Sequence, residues 1–472
     1  MIITEREKKF KEIEEEIYKY VCGEGVKLIG NLLRQIDLKI GYWRDRKKYR
    51  DKGIRKSVIK TVMGEVEYSR KVYESEENGE KEYHYLVDEM LGIKNGVGSI
   101  SENLCEKIIE SVCEEPYRKA AERISGLGNQ SLSHQGIWNV VQAMGTRVET
   151  EEKAAALRAK RSEGRGETET KVLFEEHDGT YLTLQGKSRE KRGSQAEMKV
   201  GIAYSGWEKT GTDSYNTREK VAYAGFDEPK AFYAGKEGAI ADYYNVDEIE
   251  MRILNGDGAS WIKGSVIDEN TYYQLDPYHR NRAIGRYVND EERRGELREL
   301  LYNNEMGKLL RTIQTYAAES AGDEERQQEH EGYTKLLSYY SNNKDGLIPY
   351  NQRDMTLPPP TGDTVYRNLG TMESNIFSLI GFRMKGRRAN WSICGGNHLA
   401  KLLTLKNTGR LTQALDKITE PQCVQPTSPT LSATKVPPKV GKGWNGFIHA
   451  AIPCTIHWLK DLCKIRFPVD SF

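Results

Sequence analysis

Three acidic side chains stand out by the company they keep. Asp178 follows a strand-like run, Val172 to Glu176, and precedes Gly179; Asp257 follows a second run, Glu250 to Leu254, between Gly256 and Gly258. Glu373 falls in the first turn of a helical stretch in which Ile376, Phe377, Ile380 and Met384 form one apolar face. Side chains at strand ends converge at a sheet edge, and glycines let a bulky ligand approach the backbone. Carboxylates so placed suit hard divalent cations. Phosphoryl transfer by two metal ions roughly 4 Å apart needs several oxygen ligands, one of them bridging. Two aspartates are scarcely enough, and Glu373 is the best third. Taken singly, Asp178-Gly179 and Asp257-Gly258 read as ordinary turns in a chain with 70 acidic residues. The ordered set, first strand, fourth strand and late helix, is what favours a site.

The elements that must position these residues are legible in the periodicity. Strands are expected over Val172 to Glu176, Met198 to Tyr204, Lys220 to Phe226, Glu250 to Leu254 and Thr271 to Leu275, with helices over Pro229 to Tyr244 and Ala259 to Ile267. The order β-β-β-α-β-α-β predicts an α/β fold. From Asn289 to about Asn343 the pattern is helical and highly charged; Asp345 to Thr364 is a loop, and a last helix begins near Thr371.

Upstream, Glu5 to Ile40 carries apolar residues at helical spacing, with interruptions at Gly23 and Gly25, and reads as an arm, an oligomerisation element or an ordinary packed helix. Ser57 to Met63 and Val66 to Tyr73 suggest a hairpin within a basic stretch. Tyr117 to Ile124, a Gly-containing turn and Ser131 to Met144 read as a helix-turn-helix or as a plain helical hairpin. In the first reading Ser133, Gln135 and Asn139, with His134, lie where polar side chains reach base edges. Six segments follow: 1–98, helix and basic hairpin; 99–165, helical with a linker; 166–288, first part of an α/β core; 289–364, all-helical insertion; 365–420, last helices of the core; 421–472, irregular tail.

At 472 residues, 37% apolar and a mean hydropathy of −0.71, the chain is polar yet globular in composition. A net charge of +1 argues against a nucleic-acid binder only until the charge is read locally. Lys and Arg dominate between Gly41 and Lys71. From Ser374 to Leu415 no acidic residue occurs, whereas Arg383, Lys385, Arg387, Arg388, Lys401, Lys406 and Arg410 do. Such runs neutralise phosphates or are solvated faces. The seven cysteines form no Cys-x-x-Cys pair, which supports neither a zinc ribbon nor a disulfide framework and fits a reducing cytoplasm. The amino terminus is charged, unlike a signal peptide, and the apolar stretch Gly446 to Leu459 is too short to span a bilayer.

Four motifs carry a resemblance: Leu173-Phe174-Glu175-Glu176-His177-Asp178-Gly179; Leu254-Asn255-Gly256-Asp257-Gly258-Ala259-Ser260-Trp261-Ile262; Gln274-Leu275-Asp276-Pro277-Tyr278-His279; and Met372-Glu373-Ser374-Asn375 with Arg383-Met384-Lys385 and Trp391-Ser392. In type and order they resemble the DDE transposases of the Mutator-like group, and among these the ISLre-type family of bacterial insertion sequences. The likeness extends more loosely through Lys52-Gly53 and Thr61-Val62-Met63-Gly64. It implies an RNase H-like mixed sheet interrupted by an all-α insertion, an N-terminal DNA-binding region, and Asp178, Asp257 and Glu373 as ligands of two Mg²⁺ or Mn²⁺ ions. Asp276-x-x-His279 matches a signature expected beside the active site, His279 contacting a phosphate or orienting water and Asp276 fixing its tautomer; a structural turn is the other reading. Arg383, Lys385, Arg387 and Arg388 would hold a DNA strand, and Trp391 would pack or stack on a base.

The implied activity is metal-dependent cleavage and strand transfer at terminal inverted repeats, by a homo-oligomer assembled on double-stranded DNA in the bacterial cytoplasm, at the nucleoid. A structure-selective nuclease without joining, and an inactive DNA-binding copy, are the alternatives. The departure from the family lies in Trp444 to Phe472, which has no assignable pattern.

Overall fold

The structure is a computed structural model that describes residues 9–419, apart from 78, 94, 95, 129, 164, 267 and 268. The tail expected over 421–472 lies outside the described residues. The chain divides into two compact units, the first running to Ser101 and the second covering Glu102–Ile418. No helix of the described residues is long and apolar enough to cross a membrane.

The first unit opens with α1 (Phe10–Trp43), followed by β1 (Arg50–Thr61), β2 (Gly64–Glu77), β3 (Glu80–His84) and α2 (Leu86–Met90), the strands forming an antiparallel sheet in that order. The glycines expected to interrupt α1 do not. Gly25 instead lets the hairpin turn approach, since a Cβ there would sit 3.3 Å from the Met63 side chain. Leu33, Ile36 and Ile40 of α1 pack against Ile59, Val66, Tyr68, Tyr73, Leu86 and Val87. The buried Asp37 carboxylate accepts the Lys71 amide at 3.1 Å and so pins helix to sheet. Phe10, Ile17 and Val21, on the first half of α1, remain exposed.

The second unit contains α3 (Glu102–Glu114), α4 (Tyr117–Leu127), α5 (His134–Lys160), β4 (Val172–Thr183), α6 (Gly186–Arg192), β5 (Gln195–Tyr204), β6 (Gly206–Lys209), β7 (Tyr215–Arg218), β8 (Val221–Gly225), α7 (Pro229–Ala241), β9 (Met251–Gly256), α8 (Ser260–Lys263) and β10 (Thr271–Leu275). Then come α9 (Pro277–Tyr287), α10 (Glu291–Tyr302), α11 (Met306–Glu319), α12 (Gln327–Asn342), α13 (Met372–Ile376), α14 (Phe382–Met384), α15 (Ile393–Asn407) and α16 (Leu411–Thr419). The fold is mixed α/β, as expected. Five strands form one sheet in the order β10-β9-β4-β5-β8, with β4 antiparallel to β5, β5 antiparallel to β8, and β4, β9 and β10 mutually parallel. The hairpin β6–β7, α6 and β3 are elements the periodicity did not reveal.

The central strand is buried on both faces. Leu173 joins the core with Val221, Ile240 and Tyr244, while Phe174 packs among Tyr204, Trp207, Tyr350 and Tyr366. Period-two alternation therefore assigns Glu175 and His177 to one face, Glu176 and Asp178 to the other.

Two expectations need correction. The segment 99–165 is not a separate unit: α5 runs to Lys160 and packs on α7 and α15, within the same unit as the sheet. The apolar face of the last helix also differs. A π-turn over Phe377–Gly381, between α13 and α14, advances the register, so Leu379, Ile380 and Met384 are buried and Phe377 is 62% exposed. The helical block α10–α12 shares its core with the end of the sheet, Leu297, Leu309, Tyr333 and Leu336 clustering with Leu275, Ala283 and Ile284.

Candidate active site

Parallel register sets the site. His177 on β4 pairs with Gly256 on β9, and Gly256 with Leu275 on β10. One step further along come Asp178, Asp257 and Asp276, a row of three aspartates across neighbouring strands. Gly256 lets the strands and α8 close up here, for a Cβ would lie 2.6 Å from Ile262 and 3.2 Å from the His177 carbonyl. Gly258 turns the chain away at φ +95°, a conformation that disfavours any other residue.

Asp178 is half-buried, and its Oδ1 accepts the Gly179 amide at 2.7 Å. Burial, with Asp257 and Asp276 nearby, pushes its carboxyl up to about 6, against the Gly179 amide and the His279 ring. The His279 Nε2 lies 3.9 Å from the Asp178 Oδ2. Asp257 accepts the Ala259 amide at 2.9 Å, and its carbonyl receives the Tyr339 hydroxyl at 2.8 Å.

Asp276 works differently from the expectation that it fixes the His279 tautomer. Its Oδ1 accepts the amides of Tyr278 and His279 at 3.0 and 3.1 Å, capping α9, while Oδ2 receives the Asn255 amide at 2.8 Å. Three of its acceptor positions are taken by two backbone amides and Asn255, and the His279 ring faces Asp178 instead.

Glu373 sits in the first turn of α13, exposed, and its carboxylate makes no hydrogen bond or ion pair with the described residues. Among the described residues no three His, Cys, Asp or Glu side chains are close enough to hold one metal ion. Asp178 and Asp257 nonetheless fit a hard divalent cation. They offer only carboxylate oxygens, and the upward push on Asp178, from burial first and from neighbouring Asp257 and Asp276 second, is one that a bound cation would oppose.

A residue that the sequence reading passed over organises this face. Glu176, fully buried, accepts from the Tyr204 hydroxyl at 2.7 Å, Asn255 Nδ2 at 3.0 Å, Gly370 N at 2.9 Å, Thr371 N at 3.0 Å and the Thr371 hydroxyl. Burial pushes its carboxyl up in spite of these donors. It thereby joins three segments: β4, two residues before Asp178; β9, two before Asp257; and the turn two residues before Glu373. The signal was present as a second acid in an otherwise apolar strand. On the opposite face Glu175 is equally buried; burial would raise its carboxyl, but Lys236 and Arg252 hold it well below the usual carboxylate range.

The expected DNA contacts divide. Ser133 caps α5, its hydroxyl accepting the Gly136 amide at 3.0 Å, and exposed Gln135 donates to Asn139 at 3.2 Å. Lys385 and Arg388 are exposed. Arg383 is not free to reach out: its Nε donates to the Val112 carbonyl at 2.6 Å and its guanidinium lies over Tyr117 and Trp391. The Arg387 side chain lies outside what the structure describes. Trp391 packs in the core, its indole N–H donating to the Met384 carbonyl at 2.9 Å. Of the N-terminal basic stretch, Lys52, Lys60, Arg70 and Lys71 are ion-paired to Glu74, Glu65, Asp88 and Asp51, while Arg46, Lys47, Lys48, Arg55 and Lys56 stay exposed.

The model of a family described as "Uncharacterised protein family (UPF0236)" matches residues 3–419. Two UPF0236 proteins of Caldanaerobacter subterraneus subsp. tengcongensis are each 26% identical over 411 residues, covering 87% of this chain and 79% and 75% of their own. A third from the same organism, 25% identical over 415 residues, bears a name that joins eleven locus designations.

Proposed function

From its membership of the UPF0236 family, whose name states no activity, and from the site, we propose that this chain is a DDE-type DNA transposase. The observation that carries the reading is the register placing Asp178 beside Asp257 on adjacent parallel strands, with Asp178 on the central one. The order β8-β5-β4-β9-β10, with β5 alone antiparallel to the other four strands, is the order expected of an RNase H-like sheet. A relative whose name joins eleven loci fits a gene that multiplies within its genome.

Asp178 and Asp257 would hold the cations, with Glu373 completing the set. Bound Mg²⁺ or Mn²⁺ supplies an activated water or 3′-hydroxyl and neutralises charge at the scissile phosphate. The protein's own part is orientation. Glu176 keeps the two aspartate strands and the Glu373 turn in fixed relation; Asp276 sets the first turn of α9, so that His279 faces both Asp178 and an incoming phosphate oxygen. Exposed Lys385, Arg388 and the basic residues of the first unit contact backbone phosphates.

The test is a strand-transfer assay with purified protein, Mg²⁺ and DNA carrying the ends of the element that encodes it. Joined products, lost in Asp257→Asn, are expected. Cleavage without joining would make the protein a nuclease, and cleavage unchanged in Asp257→Asn would refute the catalytic assignment.

A further inference from the structure

A cavity of about 440 Å³ opens between the start of α5, the end of α14 and the start of α15. Its lining joins two segments expected separately to touch DNA. Trp138 comes from between Gln135 and Asn139, and Arg383 and Gly386 flank Lys385. Part of the wall is fixed packing: Trp391 is buried, and Arg383 lies 5.7 Å from the Tyr117 ring centroid and 5.5 Å from that of Trp391. The rest is not. Trp138 and Phe382 line the same cavity yet are 39% and 60% exposed, leaving large flat apolar surfaces open to water. Glu114, the one acid among the described residues of the lining, is ion-paired to Lys406. Arg383 lines the cavity with its guanidinium held by the Val112 carbonyl, and Lys385 and Arg388 stand exposed beside it.

Aromatic rings within reach of cationic side chains suit a planar, π-faced group carried on an anionic chain. A nucleobase fits that description, and only when unpaired, because a base in duplex has its faces covered by its neighbours. Unpaired bases arise wherever strands are opened or cut. We propose that this cavity receives one unpaired nucleobase of the bound DNA, stacked on Trp138 with Phe382 beside it. The inference rests on the DNA-processing reading above and adds to it the form of DNA that is gripped.

The test is equilibrium binding of the full chain, without divalent metal, to two duplexes of one sequence, fully paired or with a single unpaired 2-aminopurine. The wild type is expected to bind the second roughly ten-fold or more tightly and to quench its fluorescence. Trp138→Ala should abolish both preference and quenching while still binding the paired duplex. Ala389→Phe, which fills the cavity from another wall, should do the same. Equal affinity of the wild type for both duplexes, or Trp138→Ala weakening both alike, would overturn the proposal. So would a change of oligomeric state in Trp138→Ala by light scattering, which would mark the cavity as a protein contact. Strand joining without a base preference sinks the cavity alone; a wild type that binds no DNA sinks both readings.

Discussion

The carboxylate of Glu176 accepts the backbone amide of Thr371 at 3.0 Å, across 195 residues of chain. That contact moors the turn carrying Glu373 to the strand carrying Asp178. Replacing Glu176 by Ala leaves the Tyr204 hydroxyl, the Asn255 amide and the amides of Gly370 and Thr371 short of an acceptor inside the protein. A loss on the order of 3 kcal/mol or more is expected in urea unfolding. Glu176→Gln, which keeps one carbonyl oxygen, should lose less while still impairing strand joining.

Glu373 should behave in the opposite way. Exposed and unbonded in this structure, it contributes little to the fold, so Glu373→Gln should unfold within about 0.5 kcal/mol of wild type. Strand joining should nevertheless vanish. Activity retained by Glu373→Gln would remove it from the site.

Asp178 yields a prediction with a definite sign. Its carboxyl rises from 3.8 to about 6 in the metal-free fold. A raised carboxyl adds stability that is complete below the unfolded value and is lost as pH climbs through the folded one. Between pH 4 and pH 7 the metal-free protein should therefore lose on the order of 3 kcal/mol through this group. Asp178→Asn should remove that loss, its advantage over wild type growing across the same window. Mg²⁺ should stabilise wild type far more than the variant, measured by urea unfolding with and without EDTA.

Glu175 carries the reverse dependence. Lys236 and Arg252 hold it below the ordinary carboxylate range despite complete burial, so its contribution is present above about pH 4.3 and lost on further acidification. Lys236→Met leaves Glu175 short of its nearest cation, at a cost of roughly 3–5 kcal/mol. Its acid-unfolding midpoint should lie at higher pH than that of wild type; an unchanged midpoint would mean the pair is energetically idle.

Much of this could be read from residue order because the relevant signals are local. Alternation and β-branched runs located the five strands of the main sheet, and the glycines around Asp257 marked a strand end. The Gly-containing turn and the serines after it marked the start of α5 to within a few residues, and the structure selects Ser133 as its cap. What escaped depends on partners distant in the chain. Nothing near Glu176 announces Thr371, and nothing near Asp276 says that its oxygens go to amides rather than to an imidazole. The charged, Ala-rich stretch from Glu149 read as a helix running into a linker, and what stayed hidden is that this helix packs within the unit of the sheet, Ala155 lying buried against Gly238 of α7. The π-turn was equally invisible: one extra residue per turn leaves no trace in composition, yet it decides that Phe377 faces outward.

The helical block α10–α12 touches the candidate site through the Tyr339 hydroxyl, which donates to the carbonyl of Asp257. Anyone trimming this protein to a minimal sheet would strip away a surface that Leu275 and Ile284 already regard as interior, and free the Asp257 peptide that Tyr339 holds. A shortened version should aggregate before it could be assayed. Charge changes on the block's outward faces should therefore be tolerated, whereas changes along the inner seam of Leu297, Leu309 and Leu336 should not.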